Sequence, residues 1–248
     1  MEIHTPLKRI PKKITEYIKE LLILFFAVFL ASQAEYLVDH KIHNEWEIEY
    51  IRQCVRDLDK DINVLEANIV ISENMILGYD SIQNIMLNDQ LEAKDHLALY
   101  KYNFKYDRRI LPIFNENTFN ELKYSGHMIF IRKNEVVQGI SDYYAQLKII
   151  EANVVSYQNK LVQTENYSHL LFNRSLVEIG EINPSTGYNM IAVDTSAKLL
   201  TTEKDVLIQY TNRLNGLETI TKSFMLPLLK EQLIKAIDLK QLMNKSYE

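Results

Sequence analysis

Between Glu20 and Glu35 lies an uncharged stretch, Leu21–Ala34, in which only Ser32 and Gln33 are polar. At ~1.5 Å per residue this stretch covers roughly 21 Å of a hydrocarbon core that is about 30 Å thick. A membrane-spanning helix must therefore include residues on both sides of this stretch. The segment 17–38 is long enough if the charged side chains near its two ends reach the lipid head groups. The pattern predicts a transmembrane anchor at 17–38.

Two kinds of side chain stand out in this predicted anchor. Glu20 and Gln33 are candidates for an intramembrane contact, because charged and amide groups at membrane depth often mark ion paths or helix–helix contacts. Their position near the edges favours the simpler interpretation that they reach toward water. The apolar side chains expected to face lipid are Leu21, Leu22, Ile23, Leu24, Phe25, Phe26, Val28, Phe29 and Leu30.

Charge on either side of the anchor predicts its orientation. Residues 1–19 hold five basic and two acidic residues, a net charge of +3, whereas the chain from Glu20 onward has a net charge of −8. Basic flanks stay in the cytoplasm. The expected organisation is a cytoplasmic N-terminus at 1–16, the anchor at 17–38 and a periplasmic helical domain at 39–248. This arrangement predicts a single-pass protein whose main domain lies outside the membrane that it crosses.

Two alternatives to an anchor remain open. A cleaved signal peptide would need a small-residue site, and Ala31–Ala34 provides only an imperfect one, with Gln33 and Glu35 around the cut. A buried core helix of a soluble protein is the other alternative, because the apolar stretch is short.

Beyond the anchor, three stretches repeat apolar residues at alternating spacings of three and four, which is typical of helices packed lengthwise. Their members are Ile48, Ile51, Val55, Leu58, Ile62, Leu65 and Ile69, with Gly78 as the first expected stop; Val136, Ile140, Tyr143, Leu147, Ile150, Val154, Tyr157 and Leu161; and Leu207, Tyr210, Leu214, Leu217, Phe224 and Leu228, continued by Leu229, Leu233 and Ile237 after a kink at Pro227. The predicted fold is all-α: an N-terminal transmembrane helix continuing into an antiparallel helical bundle with short accessory helices.

The rest of the chain contains shorter patterns that indicate where helices begin and end. Thr118 with Glu121, and Thr202 with Asp205, have capping-box spacing, and Gly126 is placed to end the helix that Thr118 would begin. Residues 173–200 lack helical periodicity, and a short strand or hairpin is expected near Tyr188–Val193.

Composition narrows the function classes. Six Gly and five Pro are few for 248 residues, which favours helices over all-β or nucleotide-binding α/β folds. Cys54 is the only cysteine, so neither an intrachain disulfide nor a cysteine-rich metal site can form. A net charge of −5 argues against nucleic-acid binding.

No phosphate-loop, dinucleotide, zinc-protease, nucleophile-elbow or calcium-loop motif occurs in the sequence. We therefore expect no enzyme activity, no catalytic residue, no metal and no cofactor. His40, His43 and Glu47 share a helix face that could hold a metal, although a solvated polar face is the preferred interpretation. Arg108 and Arg109 beside Tyr106 could grip an anion, although solvated surface is again preferred.

Three stretches of the sequence resemble those of a known family. Glu20 leads an apolar span that Gln33 follows, Tyr50–Asp61 is a charged helix containing Arg56-Asp57-Leu58, and Thr118–Gly126 reads Thr-Phe-Asn-Glu-Leu-Lys-Tyr-Ser-Gly. Over roughly residues 15–160 the chain resembles a family of bacterial single-pass membrane-anchored proteins of unknown function. The resemblance implies membrane attachment and a helical outer domain, and it brings no activity with it.

The sequence thus predicts a non-enzymatic interaction or scaffold subunit at the periplasmic face of the inner membrane. Its expected partners are membrane lipid and, through the helical seams, another protein or a second copy of the chain. The alternative is a helical-bundle domain that senses a ligand and signals through a partner.

Overall fold

The computed structural model describes residues 12–88, 90–105, 110–182 and 189–247, and it shows an all-α protein, as predicted. The chain divides into two compact units, residues 1–50 and 51–248, and α1 contributes to both. In chain order the elements are α1 (Lys12–Met86), α2 (Ala93–Lys105), α3 (Asn117–Ser125), α4 (Asn134–Leu171), β1 (Val177–Ile182), β2 (Asn189–Val193), α5 (Lys204–Ile220) and α6 (Leu226–Tyr247).

The second unit is a bundle in which α1 and α4 run in the same direction. Contacts between them advance together along both helices, from Asp61 with Tyr143 to Tyr79 with Tyr157. The chain returns between these two helices through α2 and α3. By contrast, contacts of α1 with α5 and α6 run in opposite directions, so these helices are antiparallel to it: Asp59 with Lys240, Glu73 with Lys230, and Gln83 with Glu218.

The α4 seam is confirmed, because all eight of its predicted residues are buried. The α1 seam is only half right. Ile51, Leu58 and Leu65 are buried as predicted, but Ile48, Val55, Ile62 and Ile69 are half-buried. The core positions between the buried apolar residues belong to Cys54, Asp61 and Asn68. Gly78 was expected to end this helix, and that prediction is wrong, since α1 continues to Met86.

The predicted division of the last helix near Pro227 is confirmed. A π turn at Thr221–Met225 separates α5 from α6, and the Leu226 amide bonds the Thr221 carbonyl five residues back. Proline has no amide hydrogen, and its ring collides with the carbonyl four residues earlier, so a wider turn accommodates it. The extra residue shifts the buried face by one position. Met225 and Leu229 are buried, whereas Phe224, predicted on the seam, is exposed.

Both predicted capping boxes are wrong. Helix α3 begins after Glu116, and α5 begins after Glu203, in each case without a side-chain hydrogen bond at the cap. The Thr118 hydroxyl instead donates to Asp57. The expected end of α3 is confirmed, because Gly126 adopts the left-handed conformation with φ 76°.

The irregular stretch 173–200 contains a two-stranded antiparallel hairpin. Val177 pairs with Val193 and Ile179 with Ile191, and β2 packs against α2. The predicted strand at Tyr188–Val193 is therefore confirmed for Asn189–Val193, and Tyr188 lies outside the described residues.

Candidate functional site

The apolar side chains identified as anchor residues lie on the surface of α1. Leu21, Leu22, Ile23, Leu24, Phe25, Phe26, Val28, Phe29 and Leu30 are between 47% and 69% exposed. The most apolar window of this helix has a mean hydropathy of 2.0, and none of the window is buried by the rest of the chain. Among the described residues, α1 is the one helix that is long and apolar enough to cross a membrane.

This exposure bears on the alternatives that the sequence left open. A core helix of a soluble protein hides its apolar face inside the fold, and the window in α1 is not hidden by this chain. Phe25 contacts Phe26 and Phe29 along the same helix, with ring centroids 5.8 and 6.3 Å apart, but these contacts leave all three rings exposed. Glu20 and Gln33 are exposed as well. A contiguous apolar surface of this size marks a membrane or interaction site.

The second feature is a buried acid, Asp61, in the centre of the bundle. Its side chain is fully buried. One carboxylate oxygen accepts the backbone amide of Asn115 at 2.8 Å, and the other accepts the Tyr143 hydroxyl at 2.9 Å. A buried carboxylate needs hydrogen-bond partners. Asp61 finds them in α4 and in the connection before α3, so this one side chain links both segments to α1.

Two further side chains of α1 hold this connection and the first turn of α3. Asp57 accepts the Thr118 hydroxyl at 2.6 Å, and Asn68 accepts the backbone amide of Leu111 at 3.1 Å. The connection, residues 110–116, has no helix or strand before α3 begins at Asn117, so its backbone groups need side-chain partners. Asp57, Asp61 and Asn68 form the α1 clasp, the name used below for these three residues.

Tyr144 completes the attachment from the side of α4. Its hydroxyl donates to the Asn115 carbonyl at 3.1 Å, and its ring stacks on Phe119 with centroids 4.2 Å apart. Gln232 on α6 donates to the Tyr143 carbonyl at 3.1 Å, while its side-chain oxygen is the one buried side-chain nitrogen or oxygen without a hydrogen-bond partner in the described part of the chain.

Burial dominates the electrostatics of this region. It raises the pKa of Asp61, partly offset by the hydrogen bonds from Asn115 and Tyr143. Burial and the nearby Asp57 charge raise the pKa of Cys54 to about 12. Burial likewise raises the pKa of Tyr143 and of Tyr144. The thiol and both phenols therefore stay protonated at neutral pH, and a protonated thiol is a poor nucleophile. The arrangement serves to hold segments together.

The candidate metal site from the sequence does not assemble in the described part of the chain. His40 contacts the Tyr36 ring and His43 the Trp46 ring, with centroids 6.1 and 5.8 Å apart. Across 12–88, 90–105, 110–182 and 189–247, no three His, Cys, Asp or Glu side chains lie close enough to hold one metal ion, so His40, His43 and Glu47 do not form such a group. Tyr106, Arg108 and Arg109 lie outside the described residues.

Sequence reasoning missed the α1 clasp, although a signal for it was present. Cys54, Asp61 and Asn68 repeat every seven residues, each three residues after a seam residue that is buried. Polar residues at such a spacing normally indicate a solvated helix face, because charge is rarely buried without a partner. The partners come from the connection 110–116, from the first turn of α3 and from α4, which are distant in sequence.

Comparison of the chain with protein families, with curated proteins and with solved structures found no match.

Proposed function

We propose that this chain is a single-pass membrane protein of the bacterial inner membrane, anchored through 17–38, whose helical bundle acts in the periplasm as a non-enzymatic interaction or scaffold subunit. The observation that carries the proposal is the uncovered apolar surface of α1 from Leu21 to Leu30. Burying a Val, Leu, Ile or Phe side chain is worth about 1.5–3 kcal/mol, so nine exposed side chains of these types strongly favour lipid over water. The resemblance over roughly residues 15–160 supports the same assignment.

Charge supports the orientation. The +3 on residues 1–19 favours a cytoplasmic N-terminus, and the −8 on the remainder is compatible with export of the bundle.

The scaffold role is supported by the kinds of group that the bundle exposes and buries. Its buried acids serve as hydrogen-bond acceptors for backbone and hydroxyl groups. The α4 seam is already covered by the chain itself, so we place the partner's contact on exposed apolar side chains. Ile113 and Ile129, which flank α3, are 78% and 81% exposed.

Membrane attachment is tested with the full chain expressed in bacteria. The double variant Phe25→Asp, Phe29→Asp puts two charges in mid-span, at about 2.5–3.5 kcal/mol each on insertion scales. We expect it to leave the membrane fraction after detergent-free lysis. The matched control, Phe224→Asp with Ile234→Asp, changes two side chains that are 55% and 59% exposed on the bundle. It should remain in the membrane.

A wild-type chain that stays in the aqueous fraction with its N-terminus intact contradicts the proposal. Recovery of wild type with its N-terminus removed at Ala31–Ala34 identifies the segment as a signal peptide and contradicts the anchor.

Orientation is tested by labelling with a membrane-impermeant maleimide. Cys54 is buried and should not react with the maleimide, so any labelling comes from the introduced cysteine. Ser141→Cys, at an exposed position of α4, should label in intact spheroplasts. Thr5→Cys should label only after the membrane is permeabilised. The reverse pattern contradicts the orientation.

The scaffold role is tested by lysine crosslinking of wild type in intact membranes, followed by mass spectrometry. We expect reproducible crosslinks from the bundle to a second copy or to another protein. Ile129→Asp should weaken them, whereas Ile149→Asp, at a 50% exposed position on α4, should not. A chain that is monomeric and yields no intermolecular crosslink contradicts this part of the proposal.

A further inference from the structure

A groove of about 420 Å³ opens between α4 and α6, within the second unit. Its floor consists of Gly139 and Tyr143 from α4 and of Leu239 and Leu242 from α6. Small-molecule sites in proteins have volumes of roughly 300–1,000 Å³. The groove therefore has room for a small organic molecule.

The floor of the groove is apolar. A Cβ atom built on Gly139 would lie 2.8 Å from a methyl carbon of Leu239, so this leucine packs directly against the glycine. Leu242 beside it is half-buried. Tyr143 has the only hydroxyl among the described lining residues, and that hydroxyl already donates to Asp61. An aliphatic chain suits such a floor, because contact with it removes apolar surface from water.

Each wall of the groove carries an exposed carboxylate, Asp142 on α4 and Asp238 on α6. Asp238 forms no hydrogen bond or ion pair with any other residue that the structure describes. Asp142 accepts the side-chain amide of Gln138 at 2.8 Å, which is a neutral donor. Neither negative charge is therefore paired with a cation of the described chain.

Lys235 is the one basic residue among the described residues that line the groove. Its ammonium group pairs with Glu231 at 2.8 Å and donates to the Gln146 side chain at 3.3 Å. Neither of these partners lines the groove. Because a carboxylate outside the groove balances the charge of Lys235, the two aspartates leave the groove negative, which favours a cationic ligand.

We propose that this groove binds a linear aliphatic diammonium ion, whose alkyl chain lies along Leu239 and Leu242 and whose two ammonium groups pair with Asp142 and Asp238. Such an ion matches both carboxylates and the apolar floor between them. The axes of packed helices are ~8–10 Å apart, a distance that a short alkyl chain can bridge. The site goes beyond the proposed scaffold role, because it gives the bundle a ligand of its own.

The experiment uses the full chain in nanodiscs of zwitterionic lipid and measures binding of 1,5-diaminopentane by titration calorimetry, with empty nanodiscs as the blank. Ionic strength is kept low, because salt screens exposed ion pairs. Pentylamine retains one ammonium group, and 1,5-pentanediol retains none. We expect saturable binding of the diamine, weaker binding of pentylamine and no binding of the diol.

Substitution of the two carboxylates tests the charge pairing. Asp142→Asn and Asp238→Asn should each weaken diamine binding about two- to fivefold, as expected for a solvent-exposed ion pair. The double variant should bind the diamine no better than wild type binds the diol. The matched control Glu66→Gln removes an exposed carboxylate from α1 and should leave diamine binding unchanged.

Substitution of the floor locates the ligand. Leu242→Trp fills the groove from a half-buried position and should abolish diamine binding. Ile234→Trp introduces the same side chain at a 59% exposed position of α6 and should have no effect. Circular dichroism of each variant confirms that the bundle is folded.

Four results overturn the proposal. The first is no saturable diamine binding up to millimolar concentration, and the second is equal binding of diamine and pentylamine, since the ligand class then fails. The third is a loss of binding in Glu66→Gln equal to that in the aspartate variants, which would mean general attraction to an acidic surface. The fourth is an equal effect of Leu242→Trp and Ile234→Trp, since the groove is then not the site.

Discussion

Tyr143 on α4 donates its hydroxyl hydrogen to Asp61 on α1 at 2.9 Å, across 82 positions of sequence. The phenol is 1% exposed and the carboxylate is fully buried. The second oxygen of the carboxylate holds the Asn115 amide. One buried acid thus joins two parallel helices and the connection between them, which makes the α1 clasp a determinant of the bundle's stability.

Removing the phenol hydroxyl should reveal the strength of this contact. Tyr143→Phe leaves a buried carboxylate oxygen without its donor, which costs about 1–3 kcal/mol of unfolding free energy. Tyr157→Phe is the matched control on the same helix, because its hydroxyl meets the neutral Tyr79 hydroxyl at 3.1 Å. It should cost about 0.5–1.5 kcal/mol. Urea unfolding of the full chain, followed by circular dichroism, measures both. Equal losses of unfolding free energy in the two variants would show that a hydrogen bond to the buried carboxylate is no stronger than one between two tyrosine hydroxyls.

The raised pKa of Asp61 predicts a dependence of stability on pH. The folded state binds the proton more tightly than the unfolded state, whose pKa is about 3.9. Stability contributed by this group is therefore fully present below the unfolded pKa, and it is lost as the pH rises through the higher folded pKa.

The measurement is the unfolding free energy of wild type minus that of Asp61→Asn at a series of pH values. This difference should fall as the pH rises from about 4 through the folded pKa of Asp61, and then level off. A difference that rises with pH over the same window would mean that the hydrogen bonds from Asn115 and Tyr143 outweigh desolvation.

The sequence predicted the buried face of a helix well where apolar side chains fill the core, and poorly where polar side chains do. On α4 every buried seam position is apolar or a tyrosine, so periodicity alone identified all eight. On α1 the core includes Asp61 and Asn68, whose burial depends on partners that approach only in the folded bundle. No local sequence pattern indicates which distant residues will be those partners. The same is true of Thr118, whose hydroxyl bonds Asp57 rather than capping α3.

Cys54 should be inert in the native protein. It is 2% exposed, and burial together with the Asp57 charge raises its pKa to about 12. At pH 8 the thiolate fraction is then only about one in ten thousand. A membrane-permeable maleimide should label the native chain far more slowly than the urea-unfolded chain. Comparable rates would show that the surroundings of Cys54 open without unfolding.

The π turn at Thr221–Met225 makes the register of the last helix testable. Regular periodicity places Phe224 and Leu228 on the seam, but the wider turn inserts one residue and turns Phe224 outward, leaving it 55% exposed. Met225 takes the buried position, with no exposed surface.

The two positions should therefore respond in opposite ways to truncation. Met225→Ala creates a core cavity and should cost about 2–5 kcal/mol of unfolding free energy. Phe224→Ala removes a mostly solvated ring and should change stability by about 0.5 kcal/mol or less. Denaturant unfolding of both variants measures this difference. A larger loss for Phe224→Ala than for Met225→Ala would mean that α6 keeps the regular α-helical register, and that Pro227 is accommodated by a kink instead of an inserted residue.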